Sequence, residues 1–441
     1  MQVARLHDVP LRTRPRILIV GGGFAGLAVA GALRGADADV VIIDRRNHTL
    51  FQPLLYQVAT ATISPSEIAA PIRQLVETQE NVEVVLAEVT KVDLQSRTLD
   101  AHNADLGTRT LSFDYLVIAT GVQSSYFGHE EFAQYAPSLK TLTDAQDIRT
   151  RVLRAFELAE LSDDPAEQAR LMTFAIVGGG PTGVELAASL ATMATQTLQN
   201  NFRRIDPSKS SIILIEGGKR ILPAFHESLA EAAARRLERL GVQMLIGSNV
   251  KLVDADGVVV GAERINSATV LWAAGVAPSP ILKKLGVPTD RSGRVHVSPS
   301  LEVPGFPGVF VIGDAASIMQ DGYPLPGVAQ VAIQSGGYAG HAIANDIAGR
   351  TNVKPFRYIN KGNLAVVGKN YAVFERDKLR LSGFIAWLVW AFIHIMFLPQ
   401  LQNRLRVEIQ WLWTYFTAQR GSRIIPESHS EQRSNNLEKA S

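Results

Sequence analysis

The sequence predicts an α/β protein built from two Rossmann-like dinucleotide-binding domains, the second inserted into the first, followed by amphipathic C-terminal helices. Three observations carry that reading. The stretch Ile19-Val20-Gly21-Gly22-Gly23-Phe24-Ala25-Gly26 recurs in the same grammar as Ile176-Val177-Gly178-Gly179-Gly180-Pro181-Thr182-Gly183. A further apolar strand, 308–316, ends in Gly313-Asp314 well beyond the second of these stretches. The last quarter of the chain then turns apolar, aromatic and basic.

Each repeated stretch is a Gly-x-Gly-x-x-Gly placed between a β-branched apolar run and an Ala/Leu-rich helical run. The first glycine (Gly21, Gly178) permits the tight turn. The second (Gly23, Gly180) lets a pyrophosphate approach the backbone, and the third (Gly26, Gly183) lets helix pack on strand. Phosphates then meet the helix N-terminus, at Phe24 and Ala25 in one unit and Pro181 and Thr182 in the other. One such motif is weak evidence, because glycine-rich turns are common. Two copies imply two dinucleotide sites in one chain, and the natural pair is a flavin and a nicotinamide.

Taken in order, Arg16–Val20 reads as the first strand, 24–33 as the first helix and 40–44 as the next strand. Asp44 stands 18 residues past Gly26, where an acid accepts hydrogen bonds from a ribose hydroxyl. Its plain alternative is a solvated strand-end carboxylate, and Arg45 beside it is grouped with the same site. Residues 113–121 form another buried-type strand running into Thr120-Gly121, and 268–275 repeat the logic into Ala274-Gly275. A helical connector spans 141–160. Ser211–Glu216 is the second strand of the second unit, and Glu216 is its ribose acid. A carboxylate there repels a 2′-phosphate, so NADH is expected over NADPH. At 308–316 the Asp314 carboxylate can bind the ribityl hydroxyls of a flavin, with Gly313 leaving room. A flavin-domain strand so late in the chain is what requires the insertion. The expected domains are an N-terminal extension (1–15), a flavin domain in two parts (16–145 and 291–375), an inserted nicotinamide domain (146–290), C-terminal helices (376–425) and a disordered polar tail (426–441).

Composition sets limits. The chain has 441 residues, 46% apolar and 20% charged, with a formal charge of +2. That suits a folded protein of two or three domains and gives no electrostatic case for nucleic acid. There is no cysteine, hence no disulfide framework, no cysteine-ligated metal and no redox dithiol. Flavoproteins that pass electrons through a cysteine pair are excluded, so electrons must leave the flavin directly, and no metal site is expected. The first sixteen residues carry arginines but no apolar core of secretory length; the alternative, an organellar transit peptide, would be a short one, and a cytoplasmic origin is favoured.

Residues 385–398 are apolar on every side except for His394, and at fourteen residues they are short of the roughly 20 that span a bilayer. Residues 400–420 place Leu401, Leu405, Ile409, Leu412, Trp413 and Phe416 on one stripe. From Arg376 to Arg423 there are seven Lys/Arg against two Asp/Glu. This pattern suggests docking on an anionic membrane surface, with Arg404, Arg406, Arg420 and Arg423 meeting headgroups. A homodimer or core-packing helix pair is the alternative. His394 reads as a satisfied interfacial histidine rather than a ligand.

These residues resemble the type II NADH:quinone oxidoreductases, single-chain NADH dehydrogenases that do not pump protons. The matching motifs are both fingerprints (the second as 178–185), Phe51-Gln52-Pro53-Leu54-Leu55-Tyr56-Gln57-Val58-Ala59, Arg220-Ile221-Leu222-Pro223, Gly313-Asp314, Ala329-Gln330-Val331-Ala332-Ile333-Gln334 and Lys361-Gly362. The resemblance implies non-covalent FAD in the first unit, NADH in the second, and a membrane quinone reaching the flavin from the membrane side. It places the enzyme on the cytoplasmic face of the inner membrane, feeding a respiratory chain. It sets Ala329, Gln330 and Gln334 at the flavin ring and quinone pocket, Glu185 beside nicotinamide and flavin handling protons, and Lys361 near the reduced flavin. Glu185 is read in the first turn of its helix, where the alternative is stabilisation of the N-terminus. Ser335 stands where relatives often carry a second glutamine or an acid, and Ile333 where some carry histidine. The remaining alternatives are a ferredoxin- or rubredoxin-type reductase and a slow NADH-sensing flavoprotein.

Overall fold

The computed structural model describes residues 14–350 and 354–426. Most of the expected N-terminal extension (1–13) and nearly all of the polar tail (427–441) lie outside the described residues. In chain order, the strands of the two parallel sheets are β1 (Arg16–Val20), β2 (Asp39–Asp44), β3 (Val82–Leu86), β4 (Tyr115–Ile118), β5 (Thr173–Val177), β6 (Ser211–Glu216), β7 (Val242–Ile246), β8 (Thr269–Trp272) and β9 (Val309–Val311). The helices that position the sites are α1 (Phe24–Ala32), α2 (Leu55–Ala59), α3 (Leu142–Leu161), α4 (Pro181–Thr192), α5 (Glu227–Arg239), α6 (Ala329–Ile347), α7 (Phe384–Phe397) and α8 (Leu401–Thr417).

The first sheet runs β9-β4-β1-β2-β3 and is parallel throughout. Its strands are continuous apolar runs because parallel strands are covered on both faces; Ile17, Leu18 and Ile19 are fully buried. The chain leaves this sheet after β4, builds the second parallel sheet β7-β6-β5-β8, and returns as β9. In both sheets the fingerprint strand lies between its successor and a later strand, so the order reverses there. A ligand crevice opens outside the carboxyl ends at such a switch point.

Small residues let α1 and α6 approach closely. A Cβ on Gly336 would lie 2.3 Å from the Ala25 carbonyl, and one on Gly340 would lie 2.7 Å from the Ala32 Cβ.

The chain divides into two compact units, 1–49 with 70–123 and 276–360, and 50–69 with 124–275 and 361–441. These boundaries differ from the expected 16–145, 146–290 and 291–375, and the C-terminal helices are not a separate region. The reason is packing: α2 lies against α3 and α4, and the antiparallel strands Asn363–Val366 and Ala372–Arg376 pack on α4, α5 and α7.

Candidate functional site

The first cradle is a turn that tolerates no side chain at two glycines and leaves space at the third. Gly21 has φ +107°, and a Cβ there would sit 2.5 Å from the Ala119 carbonyl; a Cβ on Gly26 would sit 1.8 Å from the Gly21 carbonyl. At Gly23 a Cβ would meet nothing within 4 Å, and no side chain caps α1. An open, uncapped helix N-terminus fits a pyrophosphate. Asp44 Oδ2 accepts the Gly22 N–H at 2.7 Å and Oδ1 accepts the Arg46 N–H at 2.8 Å. The acid therefore also ties the glycine loop to β2. Arg45 points elsewhere, exposed and 3.9 Å from Glu88.

Across the crevice, Thr120 Oγ1 is buried with no hydrogen-bond partner among the described residues. Gly121 adopts φ +61° with open space around its Cα. Gly313 also takes φ +61°, and its N–H donates to the fully buried Ser335 hydroxyl at 3.1 Å. Ser335, expected only as a departure from the family pattern, thus fastens the turn that presents Asp314. An orphaned buried hydroxyl, an uncapped helix and a carboxylate on a glycine turn are a donor and acceptor set suited to FAD.

At the start of α6, Gln330 Oε1 accepts the Tyr358 hydroxyl at 3.3 Å. Gln334 differs from expectation. Its Nε2 donates to the Ile359 carbonyl at 2.9 Å and its Oε1 accepts the Ile359 N–H at 2.9 Å. Both polar ends fasten a neighbouring strand of backbone, so the amide is a positioning group.

The second cradle repeats the first nearly atom for atom. Gly178 has φ +113°, with a would-be Cβ 2.8 Å from the Ala273 carbonyl, and a Cβ on Gly183 would lie 1.8 Å from the Gly178 carbonyl. Gly180 is open, and no side chain caps α4. Glu216 Oε2 accepts the Gly179 N–H and Oε1 the Gly218 N–H, each at 2.6 Å. The Arg-Ile-Leu-Pro motif belongs to this loop: Leu222, at φ +48°, donates its N–H to the Gly179 carbonyl at 2.7 Å. After β8, Ala274 precedes Gly275, where a Cβ would strike the Phe127 ring at 2.6 Å and the Ser125 carbonyl at 2.8 Å. Nothing in the sequence announced the 125–127 segment there.

Glu185 lies beyond the first turn of α4, which contains no acid, so it does not serve as a charged N-terminal residue. It is buried, and loss of solvation pushes its carboxyl up to about 8; the Val366 N–H, 3.4 Å away, opposes this weakly. Near neutral pH it holds a proton. Beside it, burial and the nearby Glu185 raise the Tyr56 hydroxyl well above its ordinary value.

Tyr56 belongs to a network that sequence reasoning missed. Gln57 Nε2 donates to the Tyr56 hydroxyl at 3.0 Å, and Trp411 Nε1 donates to Gln57 Oε1 at 2.7 Å. Arg420 was expected at headgroups; instead it is buried and donates to the carbonyls of Thr60 at 2.7 Å and Ser189 at 3.2 Å. Desolvation lowers its guanidinium to about 10. The available signal was the Phe51–Ala59 run itself, whose polar Tyr-Gln pair breaks an apolar stretch.

Of the other expected cations, Arg404 donates to the Leu398 carbonyl at 2.9 Å and Arg423 reaches Asn201 Oδ1 at 3.2 Å. Arg406 is exposed. Lys361 groups with the second unit, its Nζ 5.9 Å from the Phe397 ring centroid. His394 is buried, bonded through Nδ1 to the Trp390 carbonyl at 2.7 Å, and burial lowers it to about 4.

Residues 15–336 match the pyridine nucleotide-disulphide oxidoreductase family. The disulphide of that description has no counterpart here, because the chain has no cysteine. The chain is 41% identical over 429 residues to the type II NADH:quinone oxidoreductase Ndh of Mycobacterium tuberculosis, covering 95% of this chain and 91% of that one. It is 31% identical over 410 residues to the demethylphylloquinone reductase NdbB of Synechocystis, covering 90% and 96%. The solved structure of NDH2 from Plasmodium falciparum in complex with NADH shares the fold, with a TM-score of 0.86 and 22% identity over 94% of this chain and 100% of that one. With two cradles of one geometry and relatives matched nearly end to end, the chain belongs to the type II NADH:quinone oxidoreductase family.

Proposed function

We propose that this protein oxidises NADH and reduces a membrane quinone by two electrons through non-covalent FAD, without pumping protons. The observation that carries this is the pair of uncapped glycine cradles in one cysteine-free chain. FAD, when bound, would supply the redox chemistry between NADH and the quinone. The chain would hold that group with Gly21, Gly23, Gly26, Asp44, Thr120 and Asp314, and would offer Gln330 toward the quinone reaction with Gln334 as its positioning neighbour. Glu216 admits a ribose hydroxyl and repels a 2′-phosphate, selecting NADH. The net reaction consumes one proton besides the hydride, and Glu185 stores a proton in a buried place near neutral pH. Lys361 adds a positive charge. In the anaerobic test, NADH should bleach the flavin absorption and a short-chain quinone should restore it. A protein that stays yellow with NADH, or stays bleached with quinone, overturns the reading.

We propose further that the protein docks at the cytoplasmic face of the inner membrane through its C-terminal helices. No helix among the described residues is long and apolar enough to cross a membrane. Yet Ile385, Phe392, Ile409 and Phe416 are 64%, 67%, 67% and 79% exposed, with Arg406 beside the stripe. An exposed apolar face is how an interfacial helix enters a headgroup layer, and Arg406 adds one cation to it. Leu405→Glu with Ile409→Glu should release the protein from anionic vesicles while its Tm holds, since neither side chain is buried. Retention on the vesicles would instead assign the face to a second copy of the chain.

A further inference from the structure

We propose that the Phe127 ring packs against the nicotinamide riboside of bound NADH and is a specificity-determining contact of the second cradle. This rests on NADH occupying that cradle. A dinucleotide lies across the carboxyl ends of the strands where their order reverses. Here that order is β7-β6-β5-β8, so the strands themselves assign each half of the ligand. Glu216 ends β6 and takes the adenosine ribose, while the uncapped N-terminus of α4 takes the pyrophosphate. The nicotinamide riboside is then left over the turn after β8. That turn abuts the cradle directly. The Ala273 N–H donates to the Val177 carbonyl at 2.7 Å, and a Cβ on Gly178 would lie 2.8 Å from the Ala274 nitrogen.

The turn ends in Gly275, and Phe127 lies on it. A Cβ at Gly275 would come within 2.6 Å of Phe127 Cζ and 2.9 Å of Cε2, so the missing side chain is what seats the ring. Phe127 is 68% exposed, whereas Tyr126, Phe132 and Trp272 are buried and form the local core. Those three rings pack on one another, Tyr126 at 5.0 Å and Phe132 at 6.0 Å from Trp272. Anchoring the segment therefore needs no fourth aromatic. A single exposed apolar residue is ordinary, but this one is held out against its backbone preference. Phe127 has φ +56°, a left-handed conformation that a bulky side chain adopts only at a cost. Three hydrogen bonds through Ser125 maintain it. The Ser125 hydroxyl accepts the Phe127 N–H at 3.2 Å, and its carbonyl accepts the Trp272 Nε1–H at 2.9 Å. Its own N–H donates to the Gly275 carbonyl at 3.3 Å. The segment is thus tied both to β8 and to the turn at the crevice. Strain that the surroundings fix in place clusters at ligand contacts, and what it presents here is a flat apolar ring beside the place of a flat heteroaromatic one.

Titration calorimetry on the flavin-loaded protein, with NAD+ and ADP as probes, tests this without turnover, since NAD+ has no hydride to give. Both probes carry the adenosine and the pyrophosphate, and only NAD+ carries the nicotinamide riboside. Phe127→Ala should weaken NAD+ about five- to tenfold, the worth of one aromatic contact, and leave the Kd of ADP unchanged. Phe127→Tyr keeps the ring and should keep both wild-type values. Glu216→Ala, at the other half of the ligand, should weaken both probes alike. Phe127→Gly relieves the positive φ, so its Tm should equal or exceed that of Phe127→Ala while NAD+ binding falls by the same factor; binding is thereby separated from folding. A wild-type Kd for NAD+ in Phe127→Ala would overturn the contact and leave the proposed function standing. Equal weakening of NAD+ and ADP in that variant would also overturn it, by making the ring a support for the whole cradle. If the wild-type protein binds neither probe, the second cradle does not house NADH, and the proposed function falls together with the contact.

Discussion

The two glycine cradles share a backbone and differ in the side chains they bring to it. In each, the first glycine N–H donates to the neighbouring strand at 2.8 Å, Gly21 to Ile43 and Gly178 to Ile215. In each, the acid ending the next strand captures the N–H of the residue between the first two glycines. The helices then diverge: α1 carries no ionisable residue, whereas α4 buries Glu185. The closing turns diverge too, with open space at Gly121 and the 125–127 segment pressed against Gly275. Motif spacing therefore encodes a hydrogen-bonding frame, and the chemistry comes from what packs around it.

The largest expected effect separates the third glycine from the second. Gly26→Ala places a methyl 1.8 Å from a carbonyl and should lower Tm by about 5–10 °C while stripping flavin. Gly23→Ala has room and should spare Tm while weakening flavin retention. The matched pair Gly183→Ala and Gly180→Ala should show the same split in NADH binding with flavin kept. If the two members of a pair lose Tm alike, the steric distinction is wrong.

Asp314→Ala tests a group the second cradle lacks. Flavin content after gel filtration should fall about tenfold, as for loss of a buried charged hydrogen bond. Full occupancy in that variant removes Asp314 from the flavin site.

The two acids can be set against each other. Glu216→Gln should narrow the NADH over NADPH preference in kcat/KM about tenfold, by removing a charge near the 2′ position. Asp44→Asn should act on flavin retention and leave that preference alone. An unchanged ratio in Glu216→Gln would mean that other residues read the ribose.

The remaining contrast between the helices concerns Glu185, read as a slope against pH. Its carboxyl is raised from 4.5 to about 8 in the folded chain, so the native state holds this proton more tightly than the unfolded one. The stability this confers is complete below about pH 4.5 and declines as pH rises to about 8. Wild-type Tm should fall across that window relative to Glu185→Gln, which cannot titrate, and the curves should run parallel above it. Parallel curves throughout would show that the carboxyl is solvated.

Much of the frame was legible because its demands are local. A positive φ at Gly21 and Gly178, a close approach at Gly26 and Gly183, and an acid one strand later are requirements of a turn, and a turn is read from a few consecutive residues. The late strand at Gly313-Asp314 revealed the interruption of the first sheet for the same reason. The exposed stripe of α8 followed from helical periodicity alone. Tertiary structure decided which polar groups are used up. Gln334 looked available until the Ile359 backbone took both ends of its amide, and Ser335 looked like a gap until its hydroxyl met the Gly313 N–H. Arg420 follows a basic amphipathic helix and reads as a surface cation. Only the carbonyls of Thr60 and Ser189, 360 and 231 positions away, repay its desolvation. Spacing along the chain determines which turns can form, whereas the state of a buried charge depends on partners that folding brings from far along it.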